Sequence, residues 1–160
     1  MIEITERIDV PAQPRIVWDI LSDPHEVVGC VPGAALGDEH EDGTFDGTLT
    51  VKFGPAKVTF RARIDLELDA AARAGRVTAR GKDSQGGTRF RAAMAFKVAE
   101  QEDAPGSTIV IDGENEISGK LAGLVESGAK IVIKRMAREF SERLAARVAG
   151  ENAKPSGGSQ

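Results

Sequence analysis

A few stretches of this 160-residue chain hold residue types that could do chemistry. Gly113 to Leu121, at an expected strand-to-helix junction, has the outline of a phosphate-binding loop, in which backbone N–H groups cradle phosphates and a Ser or Thr holds magnesium. The spacing fails. Five residues rather than four separate Gly113 from Gly119, and Leu121 stands where the hydroxyl should be. Gly119-Lys120 is better read as a helix start, with Ser118 as its cap.

Only two histidines are present, His25 and His40, the latter inside the acidic run Asp38 to Asp42. Neither has the neighbour spacing of a zinc or non-haem iron ligand, so no metal is expected. Cys30 sits beside Pro32 in an apolar loop with no basic neighbour in sequence to lower its pKa, and it reads as a packed thiol rather than a nucleophile. Glu6, Asp83 and Asn115 fall on faces that are otherwise apolar. They either close a polar network or orient the polar head of a mostly apolar ligand, as a few hydrogen bonds do in such pockets. With no His or Tyr among them, acid–base catalysis is not expected.

The elements that must position these residues follow from periodicity. Ile2, Ile4, Ile8 and Val10 alternate with polar residues, as in a half-buried strand. Pro11 and Pro14 stop it and open a helix ending at Asp23-Pro24; a second short helix follows to Val28, then a tight loop at Cys30-Val31-Pro32-Gly33. Six further strands are predicted: Ala34 to Glu39, Phe45 to Phe53, Val58 to Leu68, Arg76 to Asp83, Thr88 to Val98 and Ser107 to Ile117. Arg89, Arg91 and Lys97 alternate outward, as a solvated face or a docking patch for an acidic partner. The last element is a helix of about thirty residues from Lys120, roughly 45 Å long. Its apolar face holds Leu121, Leu124, Val125, Val132, Met136, Phe140, Leu144 and Val148, with Gly123 and Gly128 in the same stripe. Residues 1–149 form one domain, and 150–160 are expected to be a flexible polar tail.

The fold class is therefore α+β: a curved seven-stranded antiparallel sheet around a long C-terminal helix, with two short helices after the first strand. A helix gripped by a curved sheet leaves room wherever the facing residues are small, and Ala79, Gly81, Ala92, Gly113, Gly123 and Gly128 are assigned inward. Each glycine inside a helix costs about 0.5–1 kcal/mol relative to Ala, so Gly123 and Gly128 suggest a need for space or for backbone proximity. The expected ligand lining is Phe60, Phe90, Met94, Leu121, Leu124, Val125 and Gly128, with Asn115 as a polar contact.

Composition narrows the function classes. The lone cysteine closes no internal disulfide and the chain starts directly in strand pattern, so a cytoplasmic location is expected. No apolar run approaches the ~20 residues of a membrane span. The formal charge of −4 hides a basic last helix: Lys120 to Ala149 has a surplus of +4, leaving −8 elsewhere. Lys130, Lys134 and Arg138 form a stripe there, either a solvated face or a contact for an anionic membrane or partner. With 4% aromatics and no Tyr, nucleic acid is not an expected partner.

The Pro11 to Leu21 pattern with Val17-Trp18, the loop Cys30-Val31-Pro32-Gly33-Ala34, the strand pair around Asp83 to Ala92, and Gly119-Lys120-Leu121 opening the last helix together resemble the G-subunit family of carbon monoxide dehydrogenase. That family belongs to the START-like helix-grip superfamily. The resemblance implies an accessory protein of a molybdenum hydroxylase (carbon monoxide dehydrogenase type), linking the enzyme to the inner face of the cell membrane. Several members carry a C-terminal linker and a membrane-attaching segment, of which this sequence shows the linker-like part. Superfamily members that bind coenzyme Q or carry lipids make an isoprenoid quinone, menaquinone or ubiquinone, the natural bound ligand. The alternatives are a ligand-free adaptor that recruits the dehydrogenase to the membrane, and a small cyclase or hydrolase on the same scaffold.

Overall fold

The computed structural model describes residues 1–153. Strand β1 (Ile2–Val10) leads into helix α1 (Pro14–Leu21), helix α2 (Pro24–Val27) and a 3-10 turn (Val28–Cys30). Six strands follow: β2 (Ala34–Glu39), β3 (Phe45–Phe53), β4 (Ala56–Asp69), β5 (Ala74–Asp83), β6 (Thr88–Glu100) and β7 (Ser107–Gly119). Helix α3 (Ala122–Ala153) closes the chain. It passes through Gly150, so the expected boundary there is not a helix end; most of the expected tail lies outside the described residues. The sheet order is β1-β7-β6-β5-β4-β3-β2, an antiparallel meander with β1 returned to the edge of β7. This is the seven-stranded arrangement that the alternating pattern predicts.

Two local devices fix the path of the chain. In the Cys-Val-Pro-Gly loop, Gly33 has φ +80° and its carbonyl accepts the Thr50 N–H at 2.9 Å, with the Thr50 carbonyl occupying the place of any Cβ. Only glycine fits both demands. Gly119, at φ +109°, turns β7 into α3 against the backbone of Gly87 and Thr88. The cap of α3 is not Ser118, which is exposed in β7 opposite Arg89. The Thr88 hydroxyl, fully buried on β6, accepts the Leu121 N–H at 2.7 Å. It also bonds the Asp83 carboxylate, which accepts the N–H groups of Gln85 (2.8 Å) and Gly87 (3.3 Å) in the turn that follows. Burial opposes ionisation of Asp83, yet the bonds from Thr88 and the turn amides prevail and hold its pKa below the usual carboxylate value.

The core divides into two clusters. One joins β1, α1 and the end of α3 through Val10, Val17, Leu21, Cys30, Leu144 and Val148, with Trp18 and Phe96 stacked at a tilt 6.1 Å apart. Arg147 clamps this end by donating to Glu26 Oε1 at 3.1 Å across Gly29, where any side chain would collide with the guanidinium. The other cluster joins the start of α3 to β3 and β4 through Val51, Phe53, Val58, Phe60, Val125 and Val132. There Arg135 donates to the Lys52 carbonyl at 2.9 Å.

Thr88→Val keeps the side-chain volume but leaves the Leu121 N–H without its acceptor. A loss of about 1–2 kcal/mol is expected in urea titrations. Gly128 packs against Phe53: a Cβ there would stand 3.0 Å from Phe53 Cδ1. Gly128→Phe should therefore force the helix off β3 and cost at least about 1–3 kcal/mol by the same measurement. An unperturbed melting curve would show that this contact is loose.

Candidate functional site

Helix α3 makes its close backbone approaches to β1 and β3, on opposite flanks of the sheet, and to β7; the central strands β4 and β5 and the middle of β6 do not come comparably near. Between the two clusters the concave face is left half-covered. Strand register assembles it from successive rows. One runs Ile4, Gly113, Met94, Val77, Leu66, and the next runs Ile2, Asn115, Ala92, Ala79, Ile64. All these inward residues on β4 to β7 are half-buried, and none belongs to either cluster. These half-buried apolar rows are the candidate trough beside α3, with Phe60 and Phe90 at one end and Phe96 at the other.

The expected lining residues separate in this geometry. Phe60 is buried and meets half-buried Phe90 edge-on, at 5.3 Å and 79°. Leu121 and Val125 pack in that same cluster, and Gly128 is filled by Phe53 rather than open, which corrects its reading as a space-making residue. Leu124, at 36% exposure, lies on the outer side of the helix start. Met94 and Asn115 are the two that stand in the trough itself. Alternation alone assigns Ile64, Leu66 and Val77 inward, and nothing in it separates them from the packed Val58 and Phe60. Gly123, by contrast, faces open space.

The polar candidates also separate. Asp83 is consumed in capping. Glu6, only 14% exposed, accepts from Lys134 Nζ at 3.1 Å and so ties β1 to the helix. Asn115 remains: its amide makes no hydrogen bond within the described residues and stays reachable by solvent, between Ile2 and Ala92 in an otherwise apolar row. It can donate and accept, which suits a carbonyl or hydroxyl on an otherwise apolar molecule.

Groups that suggest other chemistry are occupied elsewhere. Cys30 is fully buried; burial pushes its thiol pKa up, although the fold brings Arg147 and Arg143 near with the opposite influence. His25 meets Phe45 edge-on, and His40 Nε2 lies 2.8 Å from Asp46 Oδ1 on the outer surface. Among the described residues no three His, Cys, Asp or Glu side chains converge as metal ligands would, and no helix is long and apolar enough to cross a membrane. Two shallow depressions mark the surface outside the trough. One, of about 590 Å³, lies over β2 to β4 beside Arg61 and Arg63; the other, of about 380 Å³, lies on α3 among Lys130, Ile131, Lys134, Arg135 and Arg138. Both are open to solvent, and neither collects the apolar residues of the trough.

Solved structures share this architecture. A conserved protein from Geobacillus kaustophilus superposes with a TM-score of 0.79 at 18% identity, covering 94% of this chain and 97% of that one. The Zhui aromatase/cyclase from Streptomyces sp. R1128 gives 0.59 at 15% identity, covering 98% of each chain. A START superfamily protein from Mycobacterium smegmatis gives 0.56 at 14% identity, covering 93% and 98%. At these identities the likeness establishes the START-like helix-grip fold alone. No curated protein matches the sequence. The family model that does match, CoxG, the G subunit of carbon monoxide dehydrogenase, spans residues 7–149, and the chain belongs to that family.

Proposed function

We propose that this chain is a non-catalytic carrier: it holds an isoprenoid quinone, menaquinone or ubiquinone, in the trough and presents it to a molybdenum hydroxylase of the carbon monoxide dehydrogenase type as electron acceptor. The observation that carries this reading is the pair of apolar rows left half-covered between two packed clusters. Leaving Ile64, Leu66, Val77 and Met94 in contact with water forgoes about 25 cal/mol per Å², which a polyisoprenoid chain laid along them would recover. The Asn115 amide suits a quinone carbonyl. The rows themselves contain no His or Cys, and Glu6 is held by Lys134, so in this reading the chain supplies shelter and position while the enzyme supplies the electrons. The family supports the accessory role.

The proposed site of loading is the cytoplasmic face of the membrane. Ile131 is 74% exposed on α3, among Lys130, Lys134 and Arg138. An apolar tip within a cationic rim suits an anionic lipid surface, where each basic residue contributes about 1 kcal/mol.

Ala79→Trp should fill the trough without disturbing either cluster. The variant is expected to fold, and native mass spectrometry with organic extraction should show the loss of retained or added menaquinone. Asn115→Leu should weaken quinone binding about fivefold, the worth of one hydrogen bond. If the wild type yields no lipophilic ligand and takes up no added quinone, the carrier gives way to a ligand-free adaptor. For the membrane contact, Lys130→Glu with Arg138→Glu should reduce sedimentation with phosphatidylglycerol vesicles at low salt. Equal sedimentation would make that stripe a solubilising face.

A further inference from the structure

The convex face of the sheet carries a second feature that the trough does not use. Strand register sets Arg61, Lys82 and Arg89 directly opposite one another on β4, β5 and β6, and sets Arg63, Arg80 and Arg91 opposite one another in the adjacent outward row. All six lie on the outward face. Neighbouring strands lie about 4.8 Å apart and same-face residues about 6.8 Å apart, so six cations share a patch of roughly 10 by 7 Å between Cα atoms. Like charges directly opposite in a sheet destabilise it. Neutralisation from within is slight: Arg63 approaches Asp46 (3.5 Å) and Asp42 (3.9 Å), whereas among the described residues the other five have no ion-pair partner within 4.0 Å. Glu116 lies opposite Arg91 across the β6–β7 edge but makes no such pair.

The surface beside this grid is shaped. The small residues Ala35 and Gly37 on edge strand β2 leave the depression of about 590 Å³, whose wall includes Arg61, Arg63 and Asp46, the last already engaged by Arg63 and His40. We infer that the convex face of β4, β5 and β6 is a docking surface for an acidic face of a folded protein, with a partner carboxylate entering the depression beside Arg61. Three features favour a protein. The face is flat, with no helix or ribbon to enter a nucleic-acid groove. It carries no aromatic ring on which a base could stack. It offers no exposed large apolar side chain for a lipid surface, since the exposed Ile131 belongs to α3 on the other side of the sheet. Docking through the convex face would also leave the trough open.

The choice of partner in the test rests on the function proposed above; the surface itself does not. The measurement is association of the full chain with purified carbon monoxide dehydrogenase and, separately, with poly-L-glutamate, each at low and high salt. Three variants are compared with wild type: Arg61→Glu/Lys82→Glu/Arg89→Glu, the milder Arg61→Gln/Lys82→Gln/Arg89→Gln, and Lys130→Glu/Arg138→Glu on α3. Melting curves serve as the folding control. Wild type should bind both probes with strong salt dependence, the Glu variant should associate at least about tenfold more slowly, and the Gln variant should fall between. Lys130→Glu/Arg138→Glu should match wild type on both probes. Binding to poly-L-glutamate but not to the dehydrogenase would leave the acidic-protein surface standing and overturn the choice of partner. Equal binding by wild type and all variants, or binding to neither probe, overturns the inference. Patch-dependent binding to phosphatidylglycerol vesicles or duplex DNA in preference to both protein probes overturns it in favour of those partners.

Discussion

The position of α3 depends on one buried hydroxyl. Thr88 is fully enclosed on β6, accepts the first amide of the helix at Leu121 and is held by Asp83 across the β5–β6 turn. A helix N-terminus has amides with no partner of their own, and here the sheet supplies one at a point the strand register determines. Gly119 makes the approach possible by carrying the chain through a backbone conformation closed to other residues. The far end of α3 is held differently, by Leu144 and Val148 in the cluster beneath α1 and by the Arg147–Glu26 pair. Between the ends, Lys134 and Arg135 tie the helix to β1 and β3 on the two flanks of the sheet rather than to its central strands.

That geometry separates stability from the candidate binding surface. The large buried side chains gather at the two ends of the sheet, where truncating one such as Leu144 costs about 2–5 kcal/mol. The middle rows are built from Gly113, Ala92 and Ala79 alongside Met94, Val77 and Ile64, all half-buried and outside both clusters. Substitutions there can alter what the trough accepts without removing packing that the fold requires. The exposed apolar area that results is the kind that marks a ligand groove in a soluble domain.

Charge follows the same division. The sheet has an apolar concave side and a convex side on which the central strands concentrate arginine and lysine, while α3 adds a second basic stripe facing away from the sheet. The net charge of −4 conceals both, because acidic residues offset them nearby and at a distance: Asp65 and Glu67 further along outward β4, Asp112, Glu114 and Glu116 on outward β7, and the run Asp38 to Asp42. A carrier in contact with more than one partner needs distinct faces for them, and segregated charge provides such faces without any change in the core.

Local pattern determined most of the fold. Alternation along β1 and β4, the helical spacing of Val125, Val132, Met136, Leu144 and Val148, and the Pro and Gly punctuation depend on period and backbone freedom, which a chain carries wherever its neighbours lie. The inward direction of Asn115 and Met94 was legible for the same reason. Tertiary structure decided which inward residues are packed and which line open space. Val58 and Leu66 alternate identically on β4, and only the path of α3 puts one in a cluster and the other in the trough. Gly128 reads in sequence as either space or close approach, and Phe53 opposite it decides for close approach; Ser118 reads as a cap, but Thr88, thirty-three residues before Leu121, takes the amide. The cationic grid likewise depends on register, because Arg61, Lys82 and Arg89 are distant in sequence and become neighbours only through strand pairing. Pairing register and helix placement are long-range quantities, decided by contacts between segments that no local period encodes.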